Sequence, residues 1–307
     1  MTQRILIAGG TGFVGRHLIP ALLQQGYSLS VLTRQPNVVA SQDALRYYRW
    51  DPKQQYIDPA AFEQVATIIN LTGANIGAKR WTARRKKEIL DSRVKTLDLL
   101  CQYCRQQQVP LHTLISSSGT GYYGAVTTNT IFKEDDAIGQ DFLAQVCREW
   151  ENAAQQFSTL GSRVVILRKG IVMGHGGAYE RMAPLARRGI NVALGSGQQY
   201  MPWISIEDLV RLYLFLLQHP EIKGVYNTTA SEPITMQDFA QQLLQSFNKK
   251  TLLPNAPAWL VRILLGEMAT ALLEGSRVSN EKLRLTGFVF QDEPLAAYLK
   301  KLASPIE

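Results

Sequence analysis

The sequence predicts an α/β protein: a doubly wound parallel sheet with a smaller, mostly helical C-terminal unit. Three observations carry this. Short apolar runs alternate with segments of helical period as far as Gly174. A glycine-rich loop, GGTGFVG (9–15), joins the first apolar run to the first helical segment. Beyond Gly174 the pattern becomes irregular and then mainly helical. Strands alternating with helices argue for parallel pairing with helices on both faces.

The elements follow in order. RILIAG (4–9) is a short apolar run ending in glycine, as a buried parallel strand requires. VGRHLIPALLQQG (14–26) has helical spacing and stops at Gly26. YSLSVLTR (27–34), LRYYRWD (45–51) and VATIINLTG (65–73) read as the next strands. RRKKEILDSRVKTLDLLCQYCRQQQ (84–108) reads as a long helix, LHTLISSSG (111–119) as a strand and FLAQVCREWENAAQQF (142–157) as a helix. SRVVILRKGIVMG (162–174) is taken as one further strand. The stretch from His175 to Trp203 is glycine-rich and irregular. ISIEDLVRLYLFLLQHP (204–220) returns to helix, and GVYNTT (224–229) to strand. MQDFAQQLLQSFN (236–248), APAWLVRILLGEMATALLEG (256–275) and the closing EPLAAYLKKL (293–302) read as helices. The expected division is a nucleotide-binding domain over 1–173 and 203–229, and a substrate-side domain over 174–202 and 230–307, with a cleft between them.

Composition narrows the function. The chain has 307 residues, 46% of them hydrophobic, enough for a substantial core. No run approaches the roughly 18 apolar residues of a membrane span, and no leader pattern opens the sequence. A soluble, cytoplasmic protein without a membrane partner is the expectation. The three cysteines include a lone C-x-x-C, Cys101 and Cys104, inside a helical segment; four dispersed histidines add no ligand spacing. No metal site is expected, because zinc needs four placed ligands. The net charge of +8 favours an anionic partner. Much of it lies in KRWTARRKK (79–87), which suits a solvated helix face or the steering of a phosphorylated ligand. No nucleic-acid-binding motif accompanies the run.

The glycine loop identifies a dinucleotide site. Gly9 permits the sharp turn, Gly12 lets the backbone approach a pyrophosphate, and Gly15 lets the helix lie close to the strand. The helix N-terminus then offers free N–H groups to the phosphates. An NAD site places an acid about twenty residues further on, for the ribose 2′-hydroxyl. Here VLTRQP carries Arg34 and no acid, which favours NADP, since arginine holds a 2′-phosphate through a planar bidentate contact. Asp51 either accepts from the adenine amine or caps the next turn.

GGTGFVG, NLTG (70–73) and SSSGTGYYG (116–124) together resemble the extended short-chain dehydrogenase/reductase family of nucleotide-sugar epimerases and dehydratases, with a Rossmann-type fold. KRWTARRKKEILDSRVKT, GQDFLAQVCREWE, QQYMPWISIEDL and TGFVFQDEPLAAYLKKL resemble the epimerase-like subfamily with an added C-terminal domain of unknown function, the DUF1731 type. The resemblance spans Arg4 to about Leu302. It implies that Gly9, Thr11, Gly12, Phe13, Val14 and Gly15 line the pyrophosphate, and that Thr33 and Arg34 meet the 2′-phosphate. It also implies that Leu71, Thr72 and Gly73 lie along the middle of the dinucleotide, with Ser92 and Arg93 facing its nicotinamide half. Ser116 belongs to the same cofactor set, and the backbone from Lys169 to Val172 passes the carboxamide. The substrate implied is a small molecule, anionic or nucleotide-linked.

In active members of that family, a tyrosine and a lysine four residues later stand on the helix after the serine strand, because hydride transfer at a carbonyl requires matched proton transfer. Phe142 and Val146 occupy those places here. The partner serine remains, with Ser118 the first candidate and Ser117 the second. Three readings follow. Tyr122, Tyr123, Lys169 or His175 supplies the proton, Tyr122 and Tyr123 being the catalytic candidates taken with Ser118. Alternatively water supplies it, or the chain is a silent NADP-binding sensor.

Overall fold

The computed structural model describes residues 4–35, 43–251 and 253–304. Its main sheet contains β1 (Arg4–Ala8), β2 (Ser28–Thr33), β3 (Leu45–Asp51), β4 (Tyr56–Ile57), β5 (Val65–Asn70), β6 (Thr113–Gly119), β8 (Arg163–Lys169) and β11 (Gly224–Thr228). The order across it is β11-β8-β6-β5-β1-β2-β3-β4, parallel throughout except for the antiparallel β3–β4 edge. β7 (Ile131–Phe132) pairs with β12 (Arg277–Val278), and β9 (Ile171–Met173) with β10 (Trp203–Ser205). The central strands are apolar on both faces, and helices cover each face.

α1 (Phe13–Gln24) and α5 (Ile206–Gln218) cover one face, packing Leu18, Leu22, Leu209 and Leu212 onto Ile7, Ile115 and Leu167. α2 (Ala83–Gln106) and α3 (Phe142–Gln155) cover the other, with Leu97, Leu100 and Trp150 on Leu6, Leu114 and Ile166. β2 and β5 flank β1 on opposite sides, so the connections leaving β1 and β5 diverge and open a crevice at the carboxyl ends of the strands.

A third core joins α4 (Tyr179–Arg187), α6 (Met236–Ser246) and α10 (Leu295–Ala303) around Trp203, Phe239 and Tyr298. Trp203 is fully buried against Tyr298, so it packs this unit. Asp208 anchors the closing segment: its carboxylate accepts from the backbone N–H groups of Gln291 and Asp292 and from Arg211. α7 (Ala258–Leu265), α8 (Thr270–Leu273) and α9 (Glu281–Arg284) complete the chain.

Four elements differ from the sequence expectation. The single strand over 162–174 is two: β8 stays in the main sheet, and β9 leaves it to pair with β10. The break is at Gly170, where any side chain would meet the carbonyl oxygen of Pro202. The helix expected over 256–275 stops at Gly266, whose φ of +60° is left-handed and whose Cβ position is filled by the Arg80 guanidinium. The helix expected from Ile204 begins at Ile206, because Ser205 caps it by accepting from the Asp208 N–H at 2.8 Å. Within the irregular stretch, Tyr179–Arg187 is helical.

Candidate active site

The loop from Gly9 to Gly15 crosses the crevice between β1 and α1. Gly9 has a φ of +83°, and a Cβ there would stand 2.8 Å from the backbone carbon of Leu71. A Cβ on Gly15 would collide with the backbone of Gly10. Thr11 is exposed, and Phe13 and Val14 form the first turn of α1. No side chain caps α1 at Gly12, and no acid stands in its first turn. α2, α3, α5 and α6 are capped by Thr82, Asp141, Ser205 and Thr235, while α4, α7, α8, α9 and α10, like α1, have no side-chain cap. The first N–H groups of α1 therefore lack a side-chain partner at a positive helix end, which fits a diphosphate. Phe13 also touches Gly174, Gly176 and Gly177, so the loop after β9 lies against the glycine loop.

At the carboxyl end of β2, Thr33 is buried and its hydroxyl accepts from the Gln35 N–H. Arg34 is exposed just beyond β2. Of the two roles open to Asp51, capping is the one displayed: its carboxylate accepts from the Lys53 N–H at 3.0 Å. In the middle, Leu71 donates its N–H to the carbonyl of Ala8. The Thr72 hydroxyl turns inward, 2.7 Å from Asn70 Oδ1 and 2.8 Å from Thr96 Oγ1, so its side chain is closed to a ligand. Ser116 is likewise interior, accepting from Asn70 Nδ2. Ser92 accepts from the Ala74 N–H at 2.9 Å, and Arg93 donates to the carbonyls of Ala74 and Ile89. These two side chains brace the loop that begins at Gly73, over which the Arg93 guanidinium lies.

The serine strand divides by face. Ser118 points towards α3 and donates to Glu151 Oε1 at 2.7 Å. Glu151 grips Arg168 through two bonds of 2.9 Å, and both side chains are nearly enclosed. Arg168 Nη1 donates to Tyr123 Oη at 3.0 Å and to the carbonyl of Glu134. Burial works against the charge on Arg168, but the Glu151 carboxylate more than offsets it, so the net shift is upward. Tyr123 is 1% exposed and donates to Asn227 Oδ1 at 2.7 Å. Burial, opposed by Arg168, pushes its hydroxyl up to about 12. Tyr122 lies flat beneath the Arg168 guanidinium, 3.3 Å from its ring centre. The three catalytic candidates thus meet in one place, but Ser118 and Tyr123 are consumed by a buried ion-pair network. That geometry argues against either as a free acid, because each hydroxyl hydrogen already has an internal acceptor.

Phe142 and Val146 face away from this strand, towards Trp81, Ile89 and Met268. Besides Glu151, the α3 residue that meets the end of β6 is Cys147, whose Sγ lies 3.5 Å from the carbonyl oxygen of Gly119. Burial first, then the Glu151 charge, pushes its thiol up to about 11. Leu143 and Cys147 are the α3 side chains that approach Gly121, just beyond the serine strand. The absence of the Tyr–Lys pair is independent of register, because α3 contains neither tyrosine nor lysine.

On the other face, Lys169 Nζ donates to Ser117 Oγ at 2.7 Å, and Tyr213 Oη stands 3.5 Å beyond. Burial, and secondarily the positive charge of Arg93, lowers the Lys169 ammonium to about 8. Burial also lowers Arg93, to about 10. Neither cation forms an ion pair among the described residues: Arg93 donates to two backbone carbonyls and lies over the Trp150 ring, and Lys169 donates to Ser117. His175 sits at the mouth, 3.1 Å from Glu180. Sequence reasoning missed Glu151 and Arg168; the signal was an arginine ending the apolar run VVILRK. All three cysteines are buried and free, and among the described residues no group of three or more potential ligands could hold a metal.

The profile of the NAD dependent epimerase/dehydratase family matches residues 5–228. The chain belongs to this epimerase/dehydratase family. A domain of unknown function, DUF1731, matches residues 256–302. An epimerase family protein of Mycobacterium bovis is 36% identical over 298 residues, covering 96% of each chain. The chloroplastic SDR39U1 homolog of Arabidopsis thaliana, also an epimerase family protein, is 33% identical over 94% of this chain and 83% of its own length. Among solved structures, human epimerase family protein SDR39U1 (isoform 2) with NADPH superposes with a TM-score of 0.86 at 29% identity, covering 98% of this chain and 99% of that one. No described helix of this epimerase-family chain is long and apolar enough to cross a membrane.

Proposed function

We propose that this protein is an NADP-dependent oxidoreductase acting on a small anionic or nucleotide-linked carbonyl compound, with Lys169 and Ser117 in place of the Tyr–Lys pair. The observation that carries the reading is the 2.7 Å contact between a desolvated lysine and a hydroxyl at the carboxyl edge of the sheet, on a strand beside the crevice. When bound, NADP supplies or accepts a hydride. The chain's own part is to hold and move a proton. Lys169 Nζ, poised between its charged and neutral forms near pH 8, passes a proton through Ser117 Oγ to a substrate oxygen, or recovers it in the reverse direction. Arg93 and the open end of α1 hold negative charge in place. Preference for NADP rests on exposed Arg34 and on the lack of an acid at the end of β2, and the presence of NADPH in the human relative is consistent with it. Residues 174–202 and 230–304 form the substrate-side unit on this reading.

A silent sensor is the second reading, favoured by the absence of tyrosine and lysine from α3 and by the closure of Ser118 and Tyr123. Calorimetric titration with NADPH and NADH, followed by absorbance assays over a carbonyl panel, separates the two. Turnover that disappears in Lys169→Met while NADPH binding persists supports the enzyme. Tight binding without turnover across the panel supports the sensor. Failure to bind either nucleotide refutes both.

A further inference from the structure

The basic run at 79–87 and the helix α7 come together on one surface. Arg80 lies over Gly266 at the end of α7, Lys86 Nζ pairs with Glu267 Oε1 at 2.7 Å, and Trp81 packs in the cluster that includes Leu265. α7, AWLVRILL, is apolar except for Arg262. At 100° per residue, Val261, Leu265 and Ala258 share the inward side, where they pack with Ala269 and Leu273. Trp259, Leu260, Ile263 and Leu264 occupy the outward arc. Trp259, Ile263 and Leu264 are 63%, 63% and 62% exposed. A helix with a single polar residue is normally covered over most of its surface.

We propose that α7 and the adjoining basic run form a peripheral docking surface for an anionic lipid bilayer. Charge decides between occupants. Arg262 borders the apolar arc, and exposed Lys79 and Arg84 form no ion pair among the described residues. A second copy seated by two-fold symmetry would set this same positive surface against itself. An anionic bilayer takes the apolar arc into its acyl boundary and the cations at its headgroups, with the tryptophan at the level it prefers. The sequence expectation of no membrane partner rested on the absence of a spanning segment, and a surface-lying helix needs none.

The test is flotation of the full chain with vesicles of phosphatidylcholine alone and of phosphatidylcholine mixed with phosphatidylglycerol. Binding is expected only to the mixed vesicles and is expected to weaken with salt. Ile263→Ser with Leu264→Ser is expected to lower the partition coefficient roughly ten-fold or more. Lys79→Gln with Arg84→Gln should lower it roughly five-fold for each charge. The second pair changes only exposed polar side chains, so it remains informative if the first pair misfolds. No binding to mixed vesicles, or binding unchanged in both variants, overturns the proposal. A concentration-dependent dimer that the Ile263/Leu264 variant abolishes, without vesicle binding, assigns the surface to a second copy instead.

Discussion

Replacing Lys169 with methionine tests the electrostatic reading of the crevice directly. The ammonium falls from an ordinary 10.5 to about 8 through burial and the nearby Arg93. A drop of that size corresponds to about 3 kcal/mol of penalty on the charged form. The ammonium is closely surrounded, but the residue keeps partial solvent access, so screening reduces the penalty to about 1–3 kcal/mol. The sign follows from linkage. Below pH 8 the lysine is charged in both the folded and unfolded chains, and the whole penalty opposes folding. Between pH 8 and 10.5 the unfolded chain binds more protons, so stability rises with pH; above 10.5 the penalty is gone. Methionine removes the charge but also the bond to Ser117, a loss of about 1 kcal/mol. Urea unfolding of both proteins from pH 7 to pH 10.5 should therefore show a difference that changes by about 1–3 kcal/mol across the range, the variant being favoured most at the acidic end. At pH 8, binding NADPH should draw up to about half a proton onto the wild-type protein, seen by calorimetry in buffers of different ionisation enthalpy, and none onto the variant. A stability difference independent of pH would refute the claim that the Lys169 charge is held at a cost.

Three further outcomes follow. Arg34→Ala should weaken NADPH binding about ten-fold or more and leave NADH binding nearly unchanged, as read by calorimetry; equal losses would deny Arg34 a role in reading the 2′-phosphate. Glu151→Ala leaves Arg168 buried without its carboxylate and should cost about 3–5 kcal/mol in urea unfolding, whereas a cost below about 1 kcal/mol would mean that water already reaches the pair. Phe142→Tyr with Val146→Lys should not create activity and should lower the melting temperature, because both side chains face Trp81 and Met268 and the lysine would be buried among apolar groups. Turnover gained by that double variant would contradict the placement of Cys147 opposite the serine strand.

The main sheet was legible because its strands are apolar on both faces and its punctuation is glycine. The nucleotide loop was legible because its spacing encodes backbone geometry that only glycine supplies. The strand at 162–174 was misread because β8 and β9 are equally apolar; the close approach of Pro202 to Gly170 is a long-range contact that local pattern does not record. The face of α3 turned to the serine strand was not legible for a similar reason. Val146 and Cys147 are both buried neighbours on an amphipathic helix, and only the contact at Gly119 separates them. Ser118 and Tyr123 looked like catalytic groups because hydroxyls at a strand end can be either chemistry or scaffolding. Their partner Arg168, at the far end of the strand that follows, decides for scaffolding.

Gly170 has a mechanical meaning. The chain spends Lys169 in the large sheet and Ile171 in the small one, and between them lies a single residue whose N–H donates to Thr228 while the N–H of Ile171 donates to Pro202. Lys169 thus sits at the pivot of a lever, whose long arm is the unit built on β9 and β10. On the proposed role of Lys169, a displacement of that arm would reach the lysine backbone through one peptide plane.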